Sequence, residues 1–254
     1  MTDHSLLRLN GKRLRAGAYD KAVLPVGSTE YHGDHIPHGT DSLVAESLAR
    51  AVSQRVKGML LLPTMPFGMS RHYANFPIAI TLSNGTLIAL LKEVFASLSK
   101  HGLKRLLIIN GHDGNIAAIE AATREYRADH PEFKIAVLEA WWATAGKLLP
   151  EGTFEVWGGL GHAGEGETSM MRFVAPELVD MEEARGVVPD LPEHVEVKWL
   201  FEELTPYGVT GDPTKATAEK GRKMHDALVK LLVSFVEEMD AAGWETGPVR
   251  QRRL

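Results

Sequence analysis

Arg105-Leu106-Leu107-Ile108-Ile109-Asn110-Gly111-His112-Asp113-Gly114-Asn115 decides the fold. Its first five residues form an almost continuous apolar run, the signature of a parallel strand covered on both faces. The run ends in a glycine-rich polar turn. Ile116, Ile119, Thr123 and Tyr126 then recur at helical spacing. Working outward, the same strand–polar loop–helix unit repeats. Lys134–Ala140 reads as the next strand, ending at Trp141-Trp142. Upstream, Leu87, Leu91, Val94 and Leu98 mark a helix stopped near Gly102, and Met59–Pro63 reads as a strand before the turn-rich Met65–Pro77. Ser42–Val56 carries Val44, Leu48, Ala51, Val52 and Val56 on one helical face, closed by Gly58, and Lys21–Val26 is a buried strand. This alternation predicts an α/β sheet with helices on both faces.

The pattern blurs from Leu148 to Gly161 and resumes as a helix from Glu167 to Val174, closed by Pro176. Met181–Thr210 takes no clear assignment and has room for irregular or edge-strand structure. A long helix follows from Lys215 to Asp240, with Met224, Leu228, Leu231, Leu232 and Phe235 on one side. Trp244–Leu254, with Arg250, Arg252 and Arg253, is expected to be a mobile tail. Repeats and linkers are absent, so residues 1–254 are expected to form a single domain.

Composition removes several function classes. The 254 residues are 44% hydrophobic and 24% charged, which are ordinary globular values. A net charge of -5 argues against nucleic acid or an anionic membrane as partner. No run approaches ~20 apolar residues, and the first residues lack a signal-peptide core. The chain has no cysteine, which fits a reducing cytosol, so any metal must be held by His, Asp and Glu. A soluble cytoplasmic protein acting on a small molecule is expected.

Ligands of open α/β sheets bind beyond the carboxyl ends of the strands, and three polar motifs fall at such ends or beside a helix start. Gly27–Asp41 (G-S-T-E-Y-H-G-D-H-I-P-H-G-T-D) holds Glu30, His32, Asp34, His35, His38 and Asp41. Carboxylates with imidazoles suit a borderline divalent metal such as zinc, manganese or iron. Glu30 and His32, two apart in extended backbone, point the same way while Tyr31 faces elsewhere. Asp41 lies at a helix entrance, where the plain alternative is a cap. His35 and His38 fit supporting or surface roles. In N-G-H-D-G-N, Gly111 and Gly114 permit unusual backbone angles that hold His112 inward, with Asn115 as a possible cap. In Gly161–Ser169 (G-H-A-G-E-G-E-T-S), one of Glu165 and Glu167 serves the first helical turn and the other is free to bind metal, beside His162. His72, in S-R-H-Y, is a candidate to face the substrate. Among Trp141, Trp142 and Trp157, Trp157 is the candidate pocket wall.

These three motifs, with Gly208–Gly221 (G-V-T-G-D-P-T-K-A-T-A-E-K-G) downstream, resemble the creatininase (creatinine amidohydrolase) family across roughly residues 20 to 235. The resemblance implies a three-layer α/β/α sandwich with a mostly parallel sheet, commonly assembled as a hexamer, and a hydrolytic site with two divalent metals. It makes Glu30, His32, Asp41 and His112 metal ligands, with Asp41 bridging, and His162 a proton-handling residue. Creatininases proper place a metal-binding glutamate two residues after the histidine matching His112, where this chain has Gly114. Glu165 is the candidate replacement. Glu167 is the fallback ligand and otherwise a catalytic partner of His162. A second departure is Ile78-Ala79, where many relatives have Gly-Thr. Both changes open the substrate question beyond creatinine to formamides, peptides and cyclic keto-sugars. The leading expectation is a metal-dependent hydrolase of a small amide or cyclic amide. Ring opening of a keto-sugar or keto-inositol and a non-catalytic metal-binding accessory protein are the alternatives.

Overall fold

Near-continuous apolar runs, with successive side chains on opposite faces, build the central sheet. The computed structural model describes residues 4–192, 194 and 197–245. Four strands, β1 (Lys21–Val26), β2 (Met59–Leu61), β3 (Arg105–Asn110) and β4 (Lys134–Leu138), run parallel in the order β2-β1-β3-β4. Leu24 lies opposite Ile108, and Ile108 opposite Val137. Val23, Leu107 and Ile109 point to one face, and Ala22, Leu24, Leu106 and Ile108 to the other.

Eight α-helices are present among the described residues: α1 (Gly11–Ala16), α2 (Thr40–Ser53), α3 (Asn84–Lys100), α4 (Ile116–Asp129), α5 (Trp141–Leu148), α6 (Glu165–Val174), α7 (Phe201–Leu204) and α8 (Ala218–Ala241). The first face of the sheet is covered by α2, α5, α6 and α8, through Leu48, Trp141, Met170 and Leu228. The other is covered by α3 and α4, through Leu91, Phe95, Ile119 and Tyr126. Each fully buried leucine in these layers contributes about 1.5–3 kcal/mol. The result is the expected three-layer α/β/α sandwich.

The strand order positions the site. From β1 the chain passes through α2 to β2 on one side, then returns through α3 to β3 on the other. The loops after β1 and β3 therefore diverge and leave a crevice between them. Gly111 closes it from below: a Cβ there would lie 2.2 Å from the Asp41 carbonyl oxygen.

Several expectations need correction. Helix α5 was not anticipated, because only Trp141 and Ala145 of its residues are buried, one i,i+4 pair in eight residues. Helix α6 begins at Glu165, so both glutamates fall in its first turn. Between 181 and 210 the described chain forms turns, the short α7 and one parallel bridge, Val187 to Thr210, with no edge strand. Trp244 does not start a mobile tail. It is buried, and its indole Nε1 donates to Asp240 at 2.7 Å. Arg250, Arg252 and Arg253 lie outside the described residues. No helix among the described residues is long and apolar enough to cross a membrane.

Candidate metal centre

Glu30, His32 and Asp41 from the β1 side meet His112 from the end of β3 in the crevice. All four side chains are buried. Three overlapping groups of metal-ligating atoms lie within 4.8 Å of one another: Glu30, Asp41 and His112; His32, Asp41 and Glu167; and Glu30, His32 and His162. Asp41 belongs to the first two. It does not act as a cap: Oδ1 lies 3.1 Å from His32 Nε2, and Oδ2 lies 3.3 Å from His112 Nδ1.

The tautomers follow from the backbone. A carbonyl oxygen can only accept, so each ring nitrogen facing one carries the hydrogen. His112 Nε2 donates to the Met69 carbonyl at 3.0 Å, His32 Nδ1 to the Glu30 carbonyl at 3.1 Å, and His162 Nε2 to the Tyr31 carbonyl at 2.8 Å. Each ring therefore turns its other nitrogen toward the carboxylates. This carbonyl-anchored arrangement is how metal-binding histidines are oriented. His112 Nδ1 lies 3.2 Å from Glu30 Oε1, and His162 Nδ1 lies 3.7 Å from the same oxygen. Ser28 Oγ donates to Glu30 Oε2 at 3.1 Å. Glu30 Oε1 and Asp41 Oδ2 have no hydrogen bond although both are buried. Two buried anionic oxygens without a hydrogen bond, beside imidazole nitrogens that can give up their protons, fit divalent cations.

The electrostatics divide the cluster. Burial opposes ionisation of Glu30 and Asp41, but His112 and His32 beside them hold both below the usual carboxylate range. Burial also opposes protonation of His32, yet Asp41, Glu167 and Glu30 raise it to about 9. His112 is raised in the same way, by Glu30 and Asp41 against its burial. Glu167 behaves differently, because burial dominates and pushes it to about 7. His162 is lowered to about 3 by burial and by neighbouring His32, whose ring lies 4.1 Å away.

Glu165 does not enter the cluster. Its carboxylate accepts from the Glu155 and Val156 backbone N–H groups and from Lys220 Nζ at 2.6 Å. It ties the 155–162 loop to α6 and α8. The fallback, Glu167, enters the cluster instead: Oε2 lies 3.8 Å from His32 Nε2 and 3.9 Å from His162 Nδ1, while accepting from the Ala163 N–H at 2.6 Å. The glycines of N-G-H-D-G-N act by close approach, since neither Gly111 nor Gly114 has positive φ. A Cβ on Gly114 would meet the Met69 carbonyl oxygen at 2.1 Å and His112 Nε2 at 2.5 Å, so no glutamate fits there. Asn115 stands at the N-cap position of α4, but its side chain makes no capping bond: it accepts from the Met69 N–H and donates to the Gly27 carbonyl, joining three loops. His35 bonds Thr168 and the Ala163 carbonyl, and His38 bonds the Pro77 carbonyl, away from the cluster.

A cleft of about 920 Å³ opens over the cluster. His72 lines it, its ring parallel to that of His112 at 5.7 Å. Trp157 does not line it and is exposed, while Trp142 and Trp199 form its walls and Trp141 is core. Tyr73 and Phe201 also line it, their rings 4.2 Å apart, with Tyr73 4.5 Å from His162. The reading of the sequence missed both. Tyr73 is adjacent to the flagged His72, but Phe201 sits in a stretch without periodicity.

The creatininase family model, described as creatinine amidohydrolase, matches residues 9–236. A mycofactocin precursor peptide peptidase of Mycobacterium ulcerans (strain Agy99) is 33% identical over 238 residues, covering 89% of this chain and 86% of that protein. A creatinine amidohydrolase of Pseudomonas putida is 30% identical over 232 residues, covering 85% and 88%. A solved structure described as "Creatininase Mn" superposes with a TM-score of 0.77 at 28% identity, covering 93% of this chain and 98% of that one. A creatininase variant described as "Zn-Zn type" also has a TM-score of 0.77, at 29% identity, covering 94% and 98%.

Proposed function

This chain belongs to the creatininase family and is a hydrolase of that family, and from that premise we propose that it cleaves the C–N bond of a small amide or cyclic amide, using divalent cations held by Glu30, His32, Asp41, His112 and Glu167. The observation that carries this reading is the pair of ligand triads sharing Asp41. Three imidazoles anchored by backbone carbonyls and two orphaned carboxylate oxygens support it. The manganese and zinc in the descriptions of structural relatives agree with the donor set. Bound there, a cation pair supplies Lewis acidity that acidifies a water and polarises a carbonyl oxygen.

The side chains do the rest. Overall, water adds across the amide: its oxygen joins the carbonyl carbon, the C–N bond breaks, and the nitrogen leaves with a proton. His162, anchored through Nε2, turns Nδ1 to the cluster, where it would pass a proton from the water to the leaving nitrogen. Tyr31 holds that ring in place through its carbonyl group. Glu167 Oε2, 3.9 Å from His162 Nδ1, would face the same cations as His32. His72 and Trp142 line the space where the substrate would sit.

A peptide amide is the second reading. The cleft of about 920 Å³ exceeds the needs of a small lactam, and the 33% identical relative is a peptide peptidase. We read residues 1–254 as one cytoplasmic hydrolase domain working as a homo-oligomer, as the family resemblance implies. Metal analysis by mass spectrometry should find about two divalent ions per chain. The reloaded protein should then hydrolyse at least one member of a panel of creatinine, formamides, short peptides and a keto-inositol, and His112→Ala should abolish that turnover. A carefully purified chain that takes up no divalent metal would refute the proposal.

A further inference from the structure

Tyr73 lines the cleft with its ring against that of His162, and its polar atom has no protein partner among the described residues. The residue is 2% exposed. The hydroxyl oxygen is not among the buried unpartnered atoms, so it is the part of the side chain left open to the cleft, where a ligand can be its partner. The ring cannot swing away. It is held between His162 at 4.5 Å, Phe201 at 4.2 Å and His72 at 4.5 Å. Its backbone is equally fixed: the Tyr73 N–H donates to the Ser70 carbonyl, and the Ser70 N–H donates to Thr81 Oγ1. The preceding residue, Met69, supplies the carbonyl that orients His112. One turn thus places a metal-facing imidazole and a phenol on the same side of the cleft.

We infer that Tyr73 is a further catalytic residue, donating its O–H hydrogen bond to the substrate carbonyl oxygen as negative charge develops there. This rests on the amide-hydrolase reading of the site. The phenol keeps its proton throughout, so it changes no atom balance and acts as a fixed dipole. Burial, followed by the fields of Glu30, Glu167 and Asp41, favours the protonated phenol.

The test uses Tyr73→Phe, which keeps the ring packing, and acetohydroxamate as a carbonyl-like probe of the zinc-loaded protein. The variant should retain the wild-type metal content and melting temperature but bind acetohydroxamate about tenfold more weakly by calorimetry. On the amide that wild type turns over fastest, kcat should fall by about 10²-fold with KM within a few-fold, as for loss of an oxyanion donor. In wild type alone, probe binding should perturb the near-ultraviolet tyrosine band, a readout that does not depend on how the variant folds. Equal binding and equal kcat in Tyr73→Phe, or an unchanged tyrosine band in wild type, overturns the role of Tyr73 while leaving the hydrolase intact. Metal-loaded wild type that neither binds the probe nor cleaves any amide overturns both readings together.

Discussion

The two halves of the cluster are built by different means. Glu30, Asp41 and His112 come from the ends of β1 and β3 and the first turn of α2, so the switch in strand order itself brings them together. Glu167 comes from α6 and reaches the cluster only because α6 packs beside α2 on one face of the sheet. Their electrostatics differ accordingly. Imidazoles hold the strand-end carboxylates ionised against burial, whereas burial dominates at Glu167 and lets it take up a proton near pH 7. Fold topology makes the first half a ready anionic site, and packing makes the second a weaker, proton-competed one.

The largest effect should come from breaking the element the halves share. Asp41→Asn removes a ligand from both triads, so both metal equivalents should be lost and hydrolysis should fall on the order of 10³-fold or more. Glu167→Gln should behave differently, keeping the strand-end equivalent and losing the other, with activity down by roughly 10–100-fold. Metal counts by mass spectrometry separate the two variants. Loss of both ions from Glu167→Gln would show that the halves are not independent.

Metal removal gives the next largest effect. Each cation at about 1,000 times its dissociation constant adds about 4 kcal/mol, or roughly 10 °C in a chain of this size. The pH dependence has a definite sign. His32 titrates near 9 when folded without metal, against an ordinary 6.5, so its pairing stabilises the metal-free fold fully below about 6.5. That stabilisation is lost as pH rises through 9. Metal binding needs the deprotonated imidazole and strengthens over the same window. The fall in melting temperature on chelation should therefore be larger at pH 8.5 than at pH 6, by differential scanning calorimetry. An equal fall at both pH values would place the metal away from His32.

The same division explains what the sequence made legible. Strands β1 and β3 announce themselves as apolar runs, with Glu30, His32 and His112 within six residues of their ends and Asp41 at the start of α2, and the resemblance to creatininases picked these four candidates from the motifs. The choice between Glu165 and Glu167 could not be read. Two residues apart on a helix point to nearly opposite sides. Which side faces the sheet depends on Lys220, 55 residues further along, claiming Glu165. The glycines of N-G-H-D-G-N suggested special backbone angles, but what they provide is absence of a side chain against Asp41 and Met69. The cleft walls were the least legible part. Trp199 and Phe201 lie in a stretch with no period to detect, and their place depends on the loops they pack against.

The smallest effect tests the same comparison from the other glutamate of α6. Glu165 is fully buried, and its carboxylate receives two backbone N–H groups and the Lys220 ammonium, which also bonds Glu155 at 3.1 Å. Glu165→Gln keeps one acceptor oxygen but turns an NH₂ toward donors, leaving at least one of them unsatisfied. Lys220 retains Glu155, so the loss should be about 2 kcal/mol, within the range for an unpaired buried donor. That corresponds to a melting temperature lower by roughly 4–8 °C. Metal content should stay at the wild-type value, because no Glu165 oxygen belongs to either triad. A Glu165→Gln protein that melts normally but loses a metal equivalent would reverse the assignment, making Glu165 the ligand and Glu167 the residue that holds the loop.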